Sequence, residues 1–445
     1  NKKDYFAPVR SIVPAQCWGD KMLYSEKVRV FLTRHNMEPE RIDLAETTAA
    51  FLGEMELGLR GRESSLKMLP TYLTAVGVLP MDEPAAVIDA GGTNFRTALV
   101  SFTEAGPVID SLNVCAMPGT DGAVTWEDFI SFAADRLAPL LDRASKVGFC
   151  FSYPTEETPE RDGRMLSLTK QVELTGFEGR LICADLAAEL ERRGISGKSL
   201  VLLNDTPAVL LSGASYAAER GCDGLLGLIS GTGTNTCCVL PDEAIKKPHG
   251  AFSGSMLVNL ESGAFTGLPR GDYDEALDSA THDPGVYRHE KMTSGAYLGE
   301  ICRLMLRGAA AEGLFSEEAA AKILALEELN SAEADALACG GGDMFTGEDA
   351  ETAGELCNAV FVRSARCVCS NIAAILVLTD RGSDPEHPAC VCADGSVIRK
   401  SRAFRGELDE LMASFITGSL GRHAVIWSTE NATMLGSAAA ALLNG

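Results

Sequence analysis

An acidic residue stands where an apolar strand pattern gives way to a helix pattern, a position from which a carboxylate can act as a base. Leu200–Leu203 predicts a buried strand, with Thr206 as the N-cap and Pro207 as the first residue of the helix that follows. The helix dipole and the free amides there stabilise an ionised carboxylate, so Asp205 would be ready to accept a proton. A helix-capping Asp without a catalytic role has the same signature, and these residues alone leave both interpretations open.

Two glycine-rich turns have the composition of phosphate-binding loops. DAGGTN spans 89–94 and SGTGTN spans 230–235, about 140 residues apart, each between two apolar strand patterns. Glycine lets backbone N–H groups converge on an anion without interference from a Cβ atom. Neither turn matches the P-loop or dinucleotide-binding patterns, and an ordinary hairpin is the alternative for each alone. The pair predicts a duplicated architecture with a cleft between the halves.

The side chains around these turns suit a phosphate and its metal. Asp89 would face Mg²⁺ bound to the phosphates, through water. Thr93, Asn94 and Arg96 would add hydrogen-bond donors from the first turn, and Thr232 from the second. Arg96 also fits a plain surface residue, but its place directly after the turn favours phosphate contact.

Polar residues at the ends of predicted strands suit the recognition of a polyol, because carboxylates and amides can form paired hydrogen bonds with vicinal hydroxyls. A site of that kind discriminates strongly, since an analogue lacking a hydroxyl leaves buried groups unpaired. Each residue could equally be an ordinary surface polar group, so spacing alone does not gather them into one site. The set is Ser152, Thr169, Lys170, Asn204, Asn235, Glu261 and Glu290.

Composition excludes several classes of protein. The formal net charge of −23 argues against a nucleic-acid partner, which requires clustered Lys and Arg. No run of 18 apolar residues and no signal peptide are recognisable, so we expect no membrane span. The 14 cysteines then fit free thiols in a reducing cytoplasm. The pairs Cys367/Cys369 and Cys390/Cys392 suggest zinc, but their spacing is not the usual C-x2-C, and core packing explains them better.

The elements that must position these residues follow from hydrophobic periodicity and from Gly and Pro. We predict strands at 85–90, 97–102, 146–152, 200–203, 224–229, 235–240 and 256–261, with a last strand-and-helix set from 389 to 443. We predict helices around 51–59, from Thr125 to about Ala144, and at 291–311, 316–329 and 351–377. A flexible loop is expected at 338–342.

With these motifs in order, the chain resembles the hexokinase family, of the eukaryotic hexokinase and glucokinase type, over nearly its whole length. The motifs are FLGEMELGL (51–59), LKMLPTYL (66–73), AVIDAGGTNFRTALV (86–100), VGFCFSYP (147–154), LTKQ (168–171), TGFEG (175–179), LLNDT (202–206), GLISGTGTN (227–235), VNLESGAF (258–265), PGVYRHEKMTSGAYLGE (284–300) and ADGSVIRK (393–400).

The resemblance implies a two-lobed α/β fold of the actin, sugar-kinase and heat-shock ATPase type, with duplicated mixed sheets flanked by helices. It implies a small lobe of 71–204 plus 431–445 and a large lobe of 1–70 plus 205–430. It also implies transfer of the γ-phosphoryl group of ATP, with Mg²⁺, to the 6-hydroxyl of a hexose, glucose first among the candidates.

The resemblance also assigns roles by position. Asp205 would be the base, with Lys170 beside the transfer site. Ser152, Thr169, Lys170, Asn204, Asp205, Asn235, Glu261 and Glu290 would bind the sugar. The ATP and phosphate positions would be Asp89, Gly91, Gly92, Thr93, Asn94, Arg96, Gly231, Thr232, Gly233, Gly295, Thr433 and Gly436. Because water could compete as the nucleophile, the cleft should close on sugar, with hinges near residues 70 and 205.

The sequence departs from the family pattern at several positions. Cys150 stands where the family usually has Thr or Asn, Leu168 replaces Trp, and Ser262 replaces Trp. NATMLG at 431–436 replaces a Gly-Ser-Gly-x-Gly turn, which leaves the phosphoryl donor open between ATP, another nucleotide and ADP. Glucose, mannose and fructose also remain open as acceptors, and the sequence does not indicate an oligomeric state.

Three alternatives belong to other classes of protein. A hexokinase-like sugar sensor without turnover is disfavoured because Asp205, Lys170 and the glycine turns are all present. An ATPase or chaperone of the same superfold would lack the sugar-binding set. A bacterial sugar kinase of the repressor-related family would be expected to carry a Cys/His zinc cluster, which we do not find in the sequence.

Overall fold

Two mixed β-sheets form the framework of the protein. The computed structural model describes residues 24–75, 77–168 and 172–445. The strands are β1 (Leu69–Pro70), β2 (Ala85–Ala90), β3 (Asn94–Thr103), β4 (Gly106–Ala116), β5 (Val124–Thr125), β6 (Lys146–Phe151), β7 (Thr155–Glu157), β8 (Gly163–Met165), β9 (Leu174–Thr175), β10 (Ser199–Leu203), β11 (Gly224–Ser230), β12 (Thr234–Pro241), β13 (Ser255–Asn259), β14 (Ala389–Asp394) and β15 (Ala424–Trp427).

Helices cover the sheets. They are α1 (Glu26–Arg34), α2 (Leu44–Leu59), α3 (Trp126–Leu137), α4 (Ile182–Arg192), α5 (Asp205–Ser212), α6 (Ala214–Arg220), α7 (Asp272–Ala280), α8 (Arg288–Thr293), α9 (Leu298–Ala311), α10 (Glu317–Leu324), α11 (Ser331–Ala338), α12 (Gly347–Thr379), α13 (Ser396–Lys400), α14 (Arg402–Leu411) and α15 (Ala432–Asn444). A π-helical segment, Met412–Ser419, continues α14.

The two large sheets share one plan. The five-stranded sheet has the order β10-β6-β2-β3-β4, and the six-stranded sheet has the order β1-β13-β12-β11-β14-β15. In the first, β2, β3 and β4 are antiparallel neighbours, while β6 and β10 run parallel to β2. In the second, β11, β12 and β13 are antiparallel, while β14 and β15 run parallel to β11. The duplication predicted from the two glycine turns is therefore confirmed.

The parallel strands bring the candidate binding and catalytic residues together at one edge of the five-stranded sheet. Asp89, Cys150 and Leu203 lie side by side on β2, β6 and β10. Because these strands run in the same direction, their carboxyl ends meet at the same edge. The residues that follow them are the first glycine turn, Ser152, and the pair Asn204-Asp205.

The three largest apolar cores hold the sheets and helices together. One packs α2, α9 and α12 against the six-stranded sheet, and another packs α3 and α4 against the five-stranded sheet. The third lies between the sheets, where α5 and α15 pack together with residues of both. Gly436 permits that helix pair to approach closely, since a Cβ atom there would overlap the carbonyl oxygen of Ala208. The predicted division into lobes at 70, 204 and 430 stays a prediction.

Some element boundaries differ from the sequence-based predictions. The helix from Thr125 ends at Leu137 and not near Ala144, because Pro139 converts the next residues to a 3₁₀ turn. The predicted helix 291–311 is two helices, α8 and α9, separated at 294–297. The predicted strand 256–261 ends at Asn259, and Glu261 has a left-handed backbone, φ 59°.

Helix α12 is long and apolar enough to cross a membrane by length and composition. However, 89% of its most apolar window is buried inside the molecule, as in the core helix of a folded domain. The expectation that no segment spans a membrane therefore rests on this burial and not on composition.

Candidate active site

The first glycine turn joins β2 to β3. The backbone N–H of Gly91 donates to the carbonyl of Asn94 at 3.0 Å, which closes the turn. The hydroxyl of Tyr153 donates to the carbonyl of Gly91 at 2.9 Å and supports it from below. Gly92 is half-buried, while the side chains of Thr93 and Asn94 are exposed, so the turn offers its outer face to a ligand.

A buried carboxylate stands at the base of this turn. Asp89 is 2% exposed, and its Oδ2 atom accepts from the guanidinium of Arg96 on the neighbouring strand. The same oxygen accepts from the Thr433 hydroxyl at 2.6 Å, and Arg96 also donates to Thr433 at 3.2 Å. Among the described residues, no hydrogen bond reaches Oδ1 of Asp89. Asp89, Arg96 and Thr433 thus form one cluster that joins the turn to α15.

The second glycine turn joins β11 to β12 and is packed among other glycines. The N–H of Gly231 donates to the carbonyl of Gly233 at 3.0 Å, and the N–H of Gly295 donates to the carbonyl of Gly231 at 2.6 Å. A Cβ atom on Gly231 would lie 2.9 Å from the Cα atom of Gly395. Thr232, at the tip, is exposed. The close contact of Gly295 with this turn requires the break between α8 and α9.

Asp205 is the first residue of α5, one residue past the end of β10. The prediction of Thr206 as the N-cap is wrong: Asn204 is the N-cap, and its side chain accepts from the N–H of Thr206. The helix can begin this early because Pro207 occupies its third position, where an N–H would have no partner within the helix. The Thr206 hydroxyl instead donates to Oδ1 of Asp205 at 3.2 Å. Asp205 therefore lies in the first turn, where the helix dipole favours a negative charge.

An amide pair holds the carboxylate of Glu261. The side-chain N–H groups of Asn259 and Asn235 donate to its Oε1 atom at 2.8 and 3.4 Å, and Asn235 also donates to Asn259 at 2.9 Å. The Asn235 oxygen in turn accepts from the backbone N–H of Ser262 at 3.1 Å. Sequence reasoning missed Asn259, although its place at the end of a strand two residues before Glu261 was a usable signal.

Glu290 links the predicted sugar set to the second glycine turn. Its Oε2 atom accepts from the backbone N–H of Thr234 at 3.0 Å. A Cβ atom on Gly233 would lie 2.8 Å from that same oxygen, so a larger residue would displace the carboxylate. A group bound at Glu290 would therefore lie beside the phosphate turn.

Three carboxylates face one region of the cleft. Burial raises the pKa of Glu261 and that of Glu290, and the charge of Asp205 raises both further. The charge of Glu261 also raises the pKa of Glu290. The nearby ammonium of Lys67 and the hydrogen bonds from Asn259 and Asn235 lower the pKa of Glu261. These charge effects agree with a position of Asp205 near both Glu261 and Glu290. Buried carboxylates with amide partners suit a ligand that donates several hydroxyl groups.

The two halves of the site meet around a buried thiol. Burial raises the pKa of Cys150 well above its ordinary value, and the charges of Asp89 and Asp205 raise it further. Cys150 therefore lies between the carboxylate of the phosphate turn and the proposed base. Ser152 follows the end of the same strand, and its N–H donates to the carbonyl of Ala90 at 3.2 Å. Thr169 and Lys170 lie outside the described residues.

A cavity of about 240 Å³ opens beside Gly295, the residue packed against the second glycine turn. Its size suits a nucleoside, and it adjoins the predicted phosphate position. It is lined by Gly295, Ala296, Gly299, Glu300, Glu328, Leu329, Asn330 and Ser331. Gly436, by contrast, is buried against α5 in the contact described above, so its predicted place at the nucleotide has no support from its surroundings.

The protein side chains were also predicted not to form a zinc site at the cysteine pairs. Within the described ranges, no group of three or more His, Cys, Asp and Glu residues is placed to hold a metal ion. Cys390 and Cys392 are buried with their sulfur atoms 3.7 Å apart, and Cys367 and Cys369 are buried in α12.

Comparison with known proteins agrees with this geometry. Two family models, both described as hexokinase, match residues 29–215 and 225–443. "Hexokinase-1" of Nicotiana tabacum is 30% identical over 442 residues, covering 90% of this chain and 88% of its own. The "Hexokinase-like 1 protein" of Arabidopsis thaliana is 30% identical over 423 residues, covering 84% and 83%.

A solved structure shows the fold. Hexokinase from Schistosoma mansoni, complexed with glucose, superposes with a TM-score of 0.71 at 22% identity, covering 96% of this chain and all of that one. The two-lobed α/β architecture with duplicated mixed sheets, expected from the sequence, is therefore confirmed. On the two family models and on the identity to relatives over most of its length, the chain belongs to the hexokinase family.

Proposed function

We propose that this protein transfers the γ-phosphoryl group of ATP to the 6-hydroxyl of a hexose, with glucose as the acceptor. The observation that carries the proposal is the meeting of β2, β6 and β10 at one sheet edge. There a phosphate-type turn, the serine Ser152 and the carboxylate Asp205 follow adjacent strands. The family and the glucose bound in the Schistosoma mansoni relative support a hexose as the ligand.

The proposed reaction needs a base beside the acceptor hydroxyl. Asp205 lies at a helix N-terminus, near the two carboxylates proposed to hold the sugar. We propose that its carboxylate accepts the proton of the 6-hydroxyl as the oxygen attacks the γ-phosphorus. Most of the rate enhancement in phosphoryl transfer comes from positioning and charge stabilisation, which the two glycine turns would supply through backbone N–H groups.

The residues present fit Mg²⁺ brought in with ATP. This ion usually keeps several waters and binds through one or two carboxylates together with substrate phosphates. Asp89 is a single buried carboxylate at the base of the first turn. Arg96 and Thr433 both donate to its Oδ2 atom, so its Oδ1 atom can accept from a water bound to the ion. We propose that Asp89 holds the ion through water, and that the ion neutralises phosphate charge. Lys170 is proposed to stand beside the transfer site.

Exclusion of water is proposed to depend on closure of the cleft. The connection between the sheets near residue 70 has two bulky residues with left-handed backbone, Met68 at φ 50° and Tyr72 at φ 57°. Left-handed backbone in bulky residues is strained, and such strain is common in segments that switch between conformations. Met68 and Tyr72 lie on either side of the two-residue strand β1. We propose that this segment and the start of α5 act as the hinges. A cytoplasmic location is also proposed, because the thirteen described cysteines are free thiols.

The test is an assay for hexose 6-phosphate formation from glucose, mannose and fructose, with ATP, GTP and ADP compared as donors. Formation of hexose 6-phosphate with ATP, largest with glucose, would support the proposal. Hexose binding by calorimetry without turnover under any condition would instead support a sugar sensor. A wild-type protein that neither binds nor phosphorylates any hexose would contradict both functions.

A further inference from the structure

A hydrogen bond between two buried threonines lies behind the candidate site and involves none of the residues assigned so far. Thr234 is the first residue of β12, directly after the second glycine turn, and Thr293 is the last residue of α8. Their hydroxyl oxygens are 3.0 Å apart and form a hydrogen bond. Thr234 is 3% exposed and Thr293 is fully buried, so this bond is shielded from water.

Thr234 also holds the carboxylate of Glu290. Its backbone N–H donates to Oε2 of Glu290 at 3.0 Å. Glu290 and Thr293 are three residues apart in α8, so their side chains share one face of the helix. That face contacts Thr234 twice, once through the carboxylate and once through the hydroxyl group. A movement of Thr234 would therefore displace the support of Glu290 together with Gly233, the residue before it.

The surroundings of Thr234 are closely packed. A Cβ atom on Gly263 would lie 2.9 Å from the Thr234 carbonyl oxygen and 3.2 Å from the Cβ atom of Glu290. Within the described ranges, no other hydrogen bond engages the hydroxyl group of Thr234. Without Thr293 that hydroxyl group would be buried and unpaired, which is more costly than the loss of the bond itself.

Thr293 is itself held from two directions. Its hydroxyl group donates to the carbonyl of His289 at 2.7 Å, and its carbonyl accepts from the hydroxyl group of Ser364 at 3.3 Å. Ser364 is fully buried in α12, the long core helix. Thr293 therefore connects Thr234 to the rigid core of the protein.

We propose that Thr293 is a positioning residue: its hydroxyl group holds Thr234, so that the second glycine turn keeps a fixed place relative to Glu290. The inference rests on the proposed function, in which that turn binds phosphate and Glu290 binds the sugar. Phosphoryl transfer depends on the relative placement of the two substrates, and a misplacement of about 1 Å can cost about 10²-fold in rate. A bond that supports both binding elements should therefore affect both substrates.

The test removes the hydrogen bond from either side. Thr293→Val deletes the hydroxyl group at nearly constant volume, and Thr293→Ser keeps it. Thr234→Val deletes the same bond but leaves the backbone N–H that Glu290 accepts, and it takes the place of Thr293→Val if that variant does not fold. Ser364→Ala is the matched control, because it removes a buried hydroxyl group that contacts only the backbone of Thr293. The kinetic constants come from the assay of hexose 6-phosphate formation, and urea denaturation gives the stability of each variant.

We expect Thr293→Val and Thr234→Val each to lower kcat/KM about tenfold, both for glucose and for ATP. Thr293→Ser and Ser364→Ala should stay within about threefold of the wild type, even where Ser364→Ala is as destabilised as the valine variants. The double variant with both valines should lose no more than the more impaired single variant, because the two changes remove one and the same bond.

Four results would overturn the inference. The first is a kcat/KM in Thr293→Val within about twofold of the wild type for either substrate, and the second is a sum of the two losses in the double variant. The third is an equal loss in Ser364→Ala, which would reduce the effect to general destabilisation. The fourth is a wild type that phosphorylates no hexose, which would overturn the proposed function as well; the first three leave that function intact.

Discussion

Thr433 donates its hydroxyl hydrogen to Asp89 at 2.6 Å, although 344 residues separate them in the chain. Arg96 contacts both, so the start of α15 is tied to the first glycine turn. The segment 431–436 departs from the family's glycine-rich turn, and its sequence gave no reason to expect this contact. The structure therefore gives this segment a role: Thr433 orients the carboxylate of Asp89 beneath the first glycine turn.

Loss of the Thr433 hydroxyl should affect the nucleotide more than the sugar. We expect Thr433→Val to raise the KM for ATP about tenfold or more, since a hydrogen bond to a charged group contributes about 1.5–3 kcal/mol. The KM for glucose should change by less than about twofold, because none of the described sugar-site hydrogen bonds involves Thr433. Steady-state kinetics with each substrate varied in turn provides the measurement.

The control for this change is Thr433→Ser, which keeps the hydroxyl group and should retain the wild-type KM for ATP. Equal KM values for ATP in the Val and Ser variants would show that the contact with Asp89 has no role in nucleotide binding.

Gly436 should be required for stability, because a Cβ atom there would overlap the Ala208 carbonyl oxygen where α15 crosses α5. We expect Gly436→Ala to lower the free energy of unfolding by about 3 kcal/mol or more. Gly53→Ala is the matched control, since Gly53 is an exposed glycine within α2 and has no heavy atom within 4 Å of the added Cβ. It should be stabilising by up to about 1 kcal/mol. Urea denaturation of both variants decides the matter, and equal stability of the two would contradict the close helix contact.

His289 should make stability depend on pH. It is fully buried beside the rings of Phe51 and Phe265, its Nδ1 atom lies 2.8 Å from the Ser262 carbonyl oxygen, and burial lowers its pKa to about 4. An unfolded histidine has a pKa of about 6.5, so between about pH 6.5 and 4 only the unfolded state takes up the proton. Stability contributed by the neutral ring is therefore complete above about pH 6.5 and falls as the pH decreases.

We expect His289→Phe to remove that dependence, since phenylalanine fits the aromatic surroundings and cannot be protonated. From pH 7.5 to pH 5, the stability of the wild type should fall by about 2 kcal/mol more than that of the variant. His282→Gln is the control, because the His282 side chain is 88% exposed and should behave as wild type. Parallel pH dependence of wild type and His289→Phe would refute the buried neutral ring. Urea titrations at the two pH values provide the measurement.

Much of the framework could be predicted from local patterns. Apolar runs separated by glycine predicted both hairpins and the strand before Asp205, because buried strands need apolar residues and tight turns need glycine. The predicted helix boundaries were wrong where a single residue ended a helix within a stretch of helical hydrophobic periodicity. Pro139 shortened α3, and the close contact of Gly295 with Gly231 divided α8 from α9.

The site was less predictable than the fold because its contacts are long-range. The bond between Thr433 and Asp89 and the amide support of Glu261 by Asn259 depend on strand order, which periodicity does not encode. The N-cap was assigned to Thr206 because a following Pro usually marks the first helical position, whereas Pro207 occupies the third. The positions carried over from the family, including Thr169 and Lys170, remain predictions.

The most direct test of the proposed mechanism is turnover and glucose affinity in Asp205→Asn, which keeps the size of the side chain and removes its charge. We predict that kcat falls by about 10²–10⁴, the usual contribution of a general base, while the dissociation constant for glucose stays within about fivefold of wild type. Thr206→Val, which removes the hydrogen bond to Asp205 and leaves the carboxylate, should lose far less. Near-normal kcat in Asp205→Asn, with glucose binding intact, would contradict the assignment of Asp205 as the base.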